Sequence, residues 1–141
     1  MDRVLLVLAG LLAVACNGGG GDGPEADTGE TEEAQIRAAV ERTYDLVSEE
    51  RWEDLWNTYT SDFRERCSFD AMIEVIGELR AQGVVRFEVA AFDEIEFIGD
   101  AAQATYSVVG FDQDDRQTAS YNYDTTLVKE DGEWRFEESC F

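Results

Sequence analysis

The stretch 78-ELRAQGVVRFEVAAFDEIEF-97 changes its hydrophobic period at Gly83. Upstream, Phe69, Met72, Ile73, Ile76 and Leu79 recur three or four residues apart, which places them on one face of a helix. Ser68 can cap that helix and Gly83 can end it. Downstream, Val85, Phe87 and Val89 alternate with Arg86 and Glu88, the period of a strand with one buried face. From Thr31 to Gly83 the chain reads as helices, and after Gly83 as sheet.

Working back toward the start, Ile36, Val40, Tyr44 and Val47 form a helical stripe. Thr31 can cap it, with Glu32 and Glu33 in the first turn, where the positive helix end favours acids. Trp52, Leu55, Trp56 and Tyr59 make a second, shorter stripe. Working forward, Ala102, Ala104, Tyr106 and Val108 alternate with polar residues, as do Tyr121, Tyr123, Thr125 and Leu127, then Trp134 and Phe136. Gly99-Asp100 and Asp131-Gly132 are hairpin turn dipeptides. Three helices followed by an antiparallel meander of about four strands give an α+β fold, with the helices on one face of the sheet.

One residue in the first strand breaks the alternation. Val85, Phe87, Val89, Ala91, Ile95 and Phe97 share one parity, and Asp93 falls on it while Phe92 does not. Two readings follow. A regular strand carries Asp93 inside, where burial would raise its pKa and suit it to general-base work. A bulge between Ala90 and Phe92 resets the parity and leaves Asp93 in water.

The order of elements, the aromatic-rich segment 51-RWEDLWNTYTSDF-63 and the final hairpin 127-LVKEDGEWRFEES-139 resemble the nuclear transport factor 2-like superfamily over about residues 32–141. That resemblance implies a strongly curved sheet wrapped around helices, a cone with a pocket at its open end. Tyr44, Trp56, Tyr59, Tyr106, Tyr121 and Tyr123 are the aromatics expected to line it or pack its core. Enzymes of the superfamily commonly use Asp–His, Asp–Tyr or Asp–Arg groupings, and many members have no known catalysis, so fold alone assigns no activity.

The chain has no histidine, which removes the usual neutral-pH acid/base and the imidazole metal sites. Asp112, Asp114 and Asp115 cluster in 111-FDQDDRQ-117 but miss the D-x-D-x-D-G calcium spacing, and read as a solvated hairpin tip. No metal or cofactor is expected. With 11 basic and 32 acidic residues the net charge is −21, which repels phosphate backbones and excludes a nucleic-acid partner.

The first residues supply an address. Val4–Ala15 is apolar but too short to span a bilayer, and Ala13-Val14-Ala15 ends it with small residues, as in a secretory signal covering residues 1–15. Cys16 directly follows and resembles the lipid-bearing cysteine of a bacterial lipobox, although Ala13 stands where leucine is usual. Ordinary secretion after Ala15 is the other reading. Residues 16–30, rich in Gly and acids, read as a flexible tether ahead of a domain over 31–141.

If Cys16 carries lipid, Cys67 and Cys140 remain as a pair outside the cytoplasm, where disulfides persist. Cys140 shares the inward parity of Trp134 and Phe136, and Cys67 sits at the base of the helix capped by Ser68. The expectation is therefore a non-catalytic binding or assembly module, lipid-anchored at the cell or outer membrane and extracytoplasmic. A protein partner, a small apolar or cationic ligand and a homodimer are all compatible with it. The alternative is a small isomerase, hydrolase or dehydratase for a neutral apolar substrate, with Asp93 as its base.

Overall fold

A computed structural model describes residues 28–141; the expected signal segment, Cys16 and most of the expected tether lie outside the described residues. Helix α1 runs Thr28–Ser48, so Thr31 lies in its first turn and not at its cap. Its buried stripe is Ile36, Val40, Thr43, Leu46 and Val47. Helix α2 is short, Trp52–Trp56, and buries Leu55.

A further short helix, α3 at Ser61–Arg66, makes four helices among the described residues where three were expected. Its signals are local. The Thr60 hydroxyl accepts from the Phe63 amide at 3.1 Å, Asp62 sits in the first turn, and Arg64 and Arg66 sit in the last. Helix α4, Phe69–Ala81, is capped by Ser68, whose hydroxyl accepts from the Ala71 amide at 3.3 Å. Gly83 then turns the chain with φ +95°, a conformation glycine adopts without steric cost.

The sheet is a four-stranded antiparallel meander in the order β1-β2-β3-β4: β1 Arg86–Ile98, β2 Ala101–Phe111, β3 Gln117–Glu130 and β4 Glu133–Glu137. Both hairpin dipeptides perform as their chemistry dictates. Gly99 takes φ +63° at the first turn, and Asp131 and Gly132 both take positive φ in the two-residue turn between β3 and β4. Strand β2 alternates without fault: Ala102, Ala104, Tyr106 and Val108 are buried and face the helices' apolar stripes across one core.

Strand β1 does not alternate. Its pairing with β2 shifts register between Val89 and Ala91 and again between Phe92 and Glu94. The core-packed residues after Phe87 are Val89, Phe92 and Ile95, while Ala91 and Asp93 are exposed. Each extra residue bends the strand and increases its twist, which is how a long strand follows a cone. Phe92 turns inward beside Tyr106, ring centroids 5.7 Å apart, and lies beneath the Arg37 guanidinium of α1 at 4.7 Å.

The last strand is held on two sides. Beyond its pairing with β3, Phe136 donates its amide to the Thr58 carbonyl at 2.9 Å and accepts from the Thr60 amide at 3.0 Å. Glu137 bonds the Thr60 hydroxyl and pairs with Arg66. Cys67 and Cys140 are joined as a disulfide, Cα atoms 5.3 Å apart and 73 residues apart in sequence.

Closing so long a loop restricts the unfolded chain, by about 4 kcal/mol in the chain-entropy description. The Cys67→Ser/Cys140→Ser double variant is expected to lower the stability measured by chemical denaturation by up to that amount. A midpoint unchanged from the oxidised wild type would show that the bond contributes nothing.

Candidate functional site

Beneath the curved sheet lies a cavity of about 220 Å³. Helix α1 contributes Thr43, Tyr44 and Val47; Leu55 and Tyr59 come from α2 and the turn after it; Val75, Ile76 and Leu79 come from α4. The sheet supplies Phe87, Tyr106, Tyr123 and Phe136, and the segment after β4 supplies Glu138 and Phe141. The wall is apolar and aromatic, with one carboxyl.

Four polar side chains form a continuous chain along it. The hydroxyls of Tyr44 and Tyr106 lie 3.3 Å apart, and Tyr106 lies 3.1 Å from the Thr125 hydroxyl. Thr125 donates to Glu138 Oε1 at 3.1 Å. With Glu138 ionised, donation runs one way, from Tyr44 through Tyr106 and Thr125 to the carboxylate. That leaves the Tyr44 oxygen free to accept at the inner end.

Burial decides the protonation states. It raises the pKa of Glu138, the bond from Thr125 offsetting only part of the effect. Burial, reinforced by the neighbouring Tyr106, holds Tyr44 far above the ordinary phenol range, and burial also raises Tyr59 and Tyr106. Tyr123 is pushed up to about 12, again mainly by burial. The phenols therefore stay neutral, and among the described residues Glu138 is the one side-chain carboxyl lining the cavity.

The expected pocket tyrosines Tyr44, Tyr59, Tyr106 and Tyr123 all line this cavity, but two expected aromatics do not. Trp56 packs within the helical layer, its ring 5.7 Å from Phe63 and 5.6 Å from Phe69. Tyr121 sits two residues before Tyr123 on β3, its ring 6.5 Å from that of Phe87. Asp93 is exposed, because the two register shifts in β1 rotate it out of the cone. The enzyme reading thus loses the base it was built on, and the carboxyl in the cone is Glu138. Its sequence signal was the even parity it shares with Trp134, Phe136 and Cys140.

The acidic hairpin tip is occupied by its own turn. Asp112 accepts from the amides of Asp114 and Arg116 at 2.8 and 3.0 Å, and Asp115 pairs with Arg86 at 3.1 Å. A larger hollow of about 500 Å³ lies between α1, α2 and the β3–β4 hairpin. It is an open groove of mixed charge in which Arg135 bonds the Asn57 carbonyl and Glu133. The cone, with its aromatic and aliphatic wall and single carboxyl, has the composition of a small-molecule site.

A carboxyl whose folded pKa is raised binds more protons folded than unfolded, so stability falls as pH rises from the unfolded value through the folded one. Glu138→Gln is expected to flatten that part of the stability profile and to raise the melting temperature at pH 7. An unchanged slope above pH 4.5 would show that the carboxyl is not buried in solution.

Three comparisons with known proteins bear on this geometry. A search of curated proteins finds no match. Two solved structures from Catenulispora acidiphila share the fold, each with a TM-score of 0.56 over 76% of this chain. They are 18% and 19% identical to it and are covered over 87% and 89% of their lengths; the second is a complex with S-DNPA. A family profile described as the SnoaL-like domain matches residues 31–139. That match spans the four described helices, the first from residue 31 on, and the whole sheet, and the chain belongs to the SnoaL-like domain family.

Proposed function

We propose that this chain is an extracytoplasmic, membrane-tethered module that binds a small apolar molecule inside the cone. The observation that carries the reading is the cavity itself: about 220 Å³, walled by aromatic and aliphatic side chains, with a hydrogen-bonded polar chain at one end. A packing module would fill that space with side chains. A ligand site keeps it open and offers few, well-placed polar groups. The neighbour of the same fold solved with S-DNPA bound supports a small-molecule guest.

The address rests on residues 4–16, where an apolar run ends in small residues before Cys16. The Cys67–Cys140 bond supports an oxidising compartment. A lipid on Cys16 and the Gly-rich residues that follow would hold the cone near a membrane surface.

Two measurements test these parts separately. Ligand-detected NMR with a library of small aromatic compounds should yield binders, and Val47→Phe or Leu79→Phe, which fill the cavity, should abolish their binding while the chain stays folded. Binding that survives both substitutions would place the ligand elsewhere. Mass spectrometry of the membrane-associated protein should find a diacylglyceryl group on a chain beginning at Cys16. A secreted chain beginning with unmodified Cys16 would contradict the tether.

A further inference from the structure

We infer that the guest of the cone is an apolar cation, held by the Glu138 carboxylate and the faces of the surrounding tyrosines; this deepens the ligand-binding reading and rests on it. Among the described residues, Glu138 is the one charged side chain that lines the cavity, and no arginine or lysine lines it. Its Oε1 accepts from Thr125, and among the described residues Oε2 has no hydrogen-bond or ion-pair partner. The nearby Arg66 is spent elsewhere: its guanidinium pairs with the Glu137 carboxylate and reaches only the backbone carbonyl of Glu138, at 3.3 Å.

A carboxylate set among aromatic rings without a counter-ion is a poor structural element. Ionised, it costs solvation that no neighbour restores. It becomes a recognition element if the missing charge arrives with the ligand. The rings suit that role. Tyr44, Tyr106 and Tyr123 stand in a triangle, centroids 6.1, 6.0 and 5.8 Å apart, with Tyr44 and Tyr106 edge to face. Cations are attracted to the faces of such rings, most strongly where water is excluded.

The polar chain points the same way. While Glu138 is ionised, the inner hydroxyl of Tyr44 presents lone pairs and not a proton, so both ends of the chain face a positive guest with electron density. The chain's net charge of −21 would raise the local concentration of cations around the cone. A neutral guest would use the apolar wall equally well and leave the carboxylate without a purpose.

The test compares a permanently charged ligand with its uncharged carbon isostere, so that shape and apolar area are matched. Trimethylphenylammonium and tert-butylbenzene are titrated into the full-length chain and followed by NMR. The cation should bind at least about tenfold more tightly. Glu138→Gln should remove that preference, so that the two compounds bind within about threefold of each other, while its NMR spectrum stays that of a folded chain. Equal affinity of the wild type for the two compounds overturns the inference and leaves an apolar cone standing. A cation preference that persists in Glu138→Gln overturns the role of the carboxylate. Binding of neither compound overturns the cone as a ligand site altogether.

Discussion

The covalent bond between Cys67 and Cys140 ties the segment after β4 to the base of α4, and the cone depends on that closure. Without it, residues 138–141 would leave the sheet with only Thr125, Arg66 and ring contacts to hold them. With it, Glu138 is carried to the end of the polar chain, and Phe141 is set edge-on to Tyr59 and Phe63 at 6.1 and 5.8 Å. The backbone exchange between Phe136 and residues 58–60 holds the same two regions together alongside the bond. One short segment therefore supplies both the latch of the fold and the carboxyl of the site.

The second constraint is the bend in β1. A regular strand would keep Phe87, Val89 and Ile95 on the core face but turn Phe92 away and Asp93 inward; the two register shifts bring Phe92 onto the core and leave Asp93 outside. The same bends leave room beneath the sheet, so the cavity follows from curvature and not from missing side chains. Phe92 and the Arg37 guanidinium seal one flank of the bend. At the other end of the strand, Phe97 meets Trp134 edge to face at 6.1 Å, bringing the first and last strands near each other across the curl.

Much of this was legible in the chain. The change of period at Gly83, the Asp131-Gly132 turn and the alternation of β2 and β3 are local signals, and they place the layers and the buried face. The parity of Trp134, Phe136 and Cys140 also indicated the disulfide direction. It stopped being legible where neighbours far away decide. Helix α3 has no apolar stripe of its own, since Phe63 is its one buried residue, and its only local signals are the Thr60 cap and the charges at its ends. Trp56 and Tyr121 look like pocket residues by composition, but only the crossing of the helices decides which ring meets the cavity. Asp93 shows the limit of parity. An acid on the inward register with phenylalanine beside it is the trace of a bulge, yet where the strand bends depends on the sheet it wraps. Glu138 carried a signal that parity could have found, one step before Cys140, but its glutamate neighbours Glu137 and Glu133 disguise it as surface.

The account stands on the claim that the disulfide, by placing residues 138–141, completes the cone as a binding site. The most direct measurement is the affinity of one small aromatic binder for the oxidised chain and for the same chain reduced, under conditions where circular dichroism shows both folded. The account predicts a loss of at least about tenfold on reduction, as a wall and the carboxyl leave the cavity together. An affinity unchanged by reduction, with the fold retained, would contradict it.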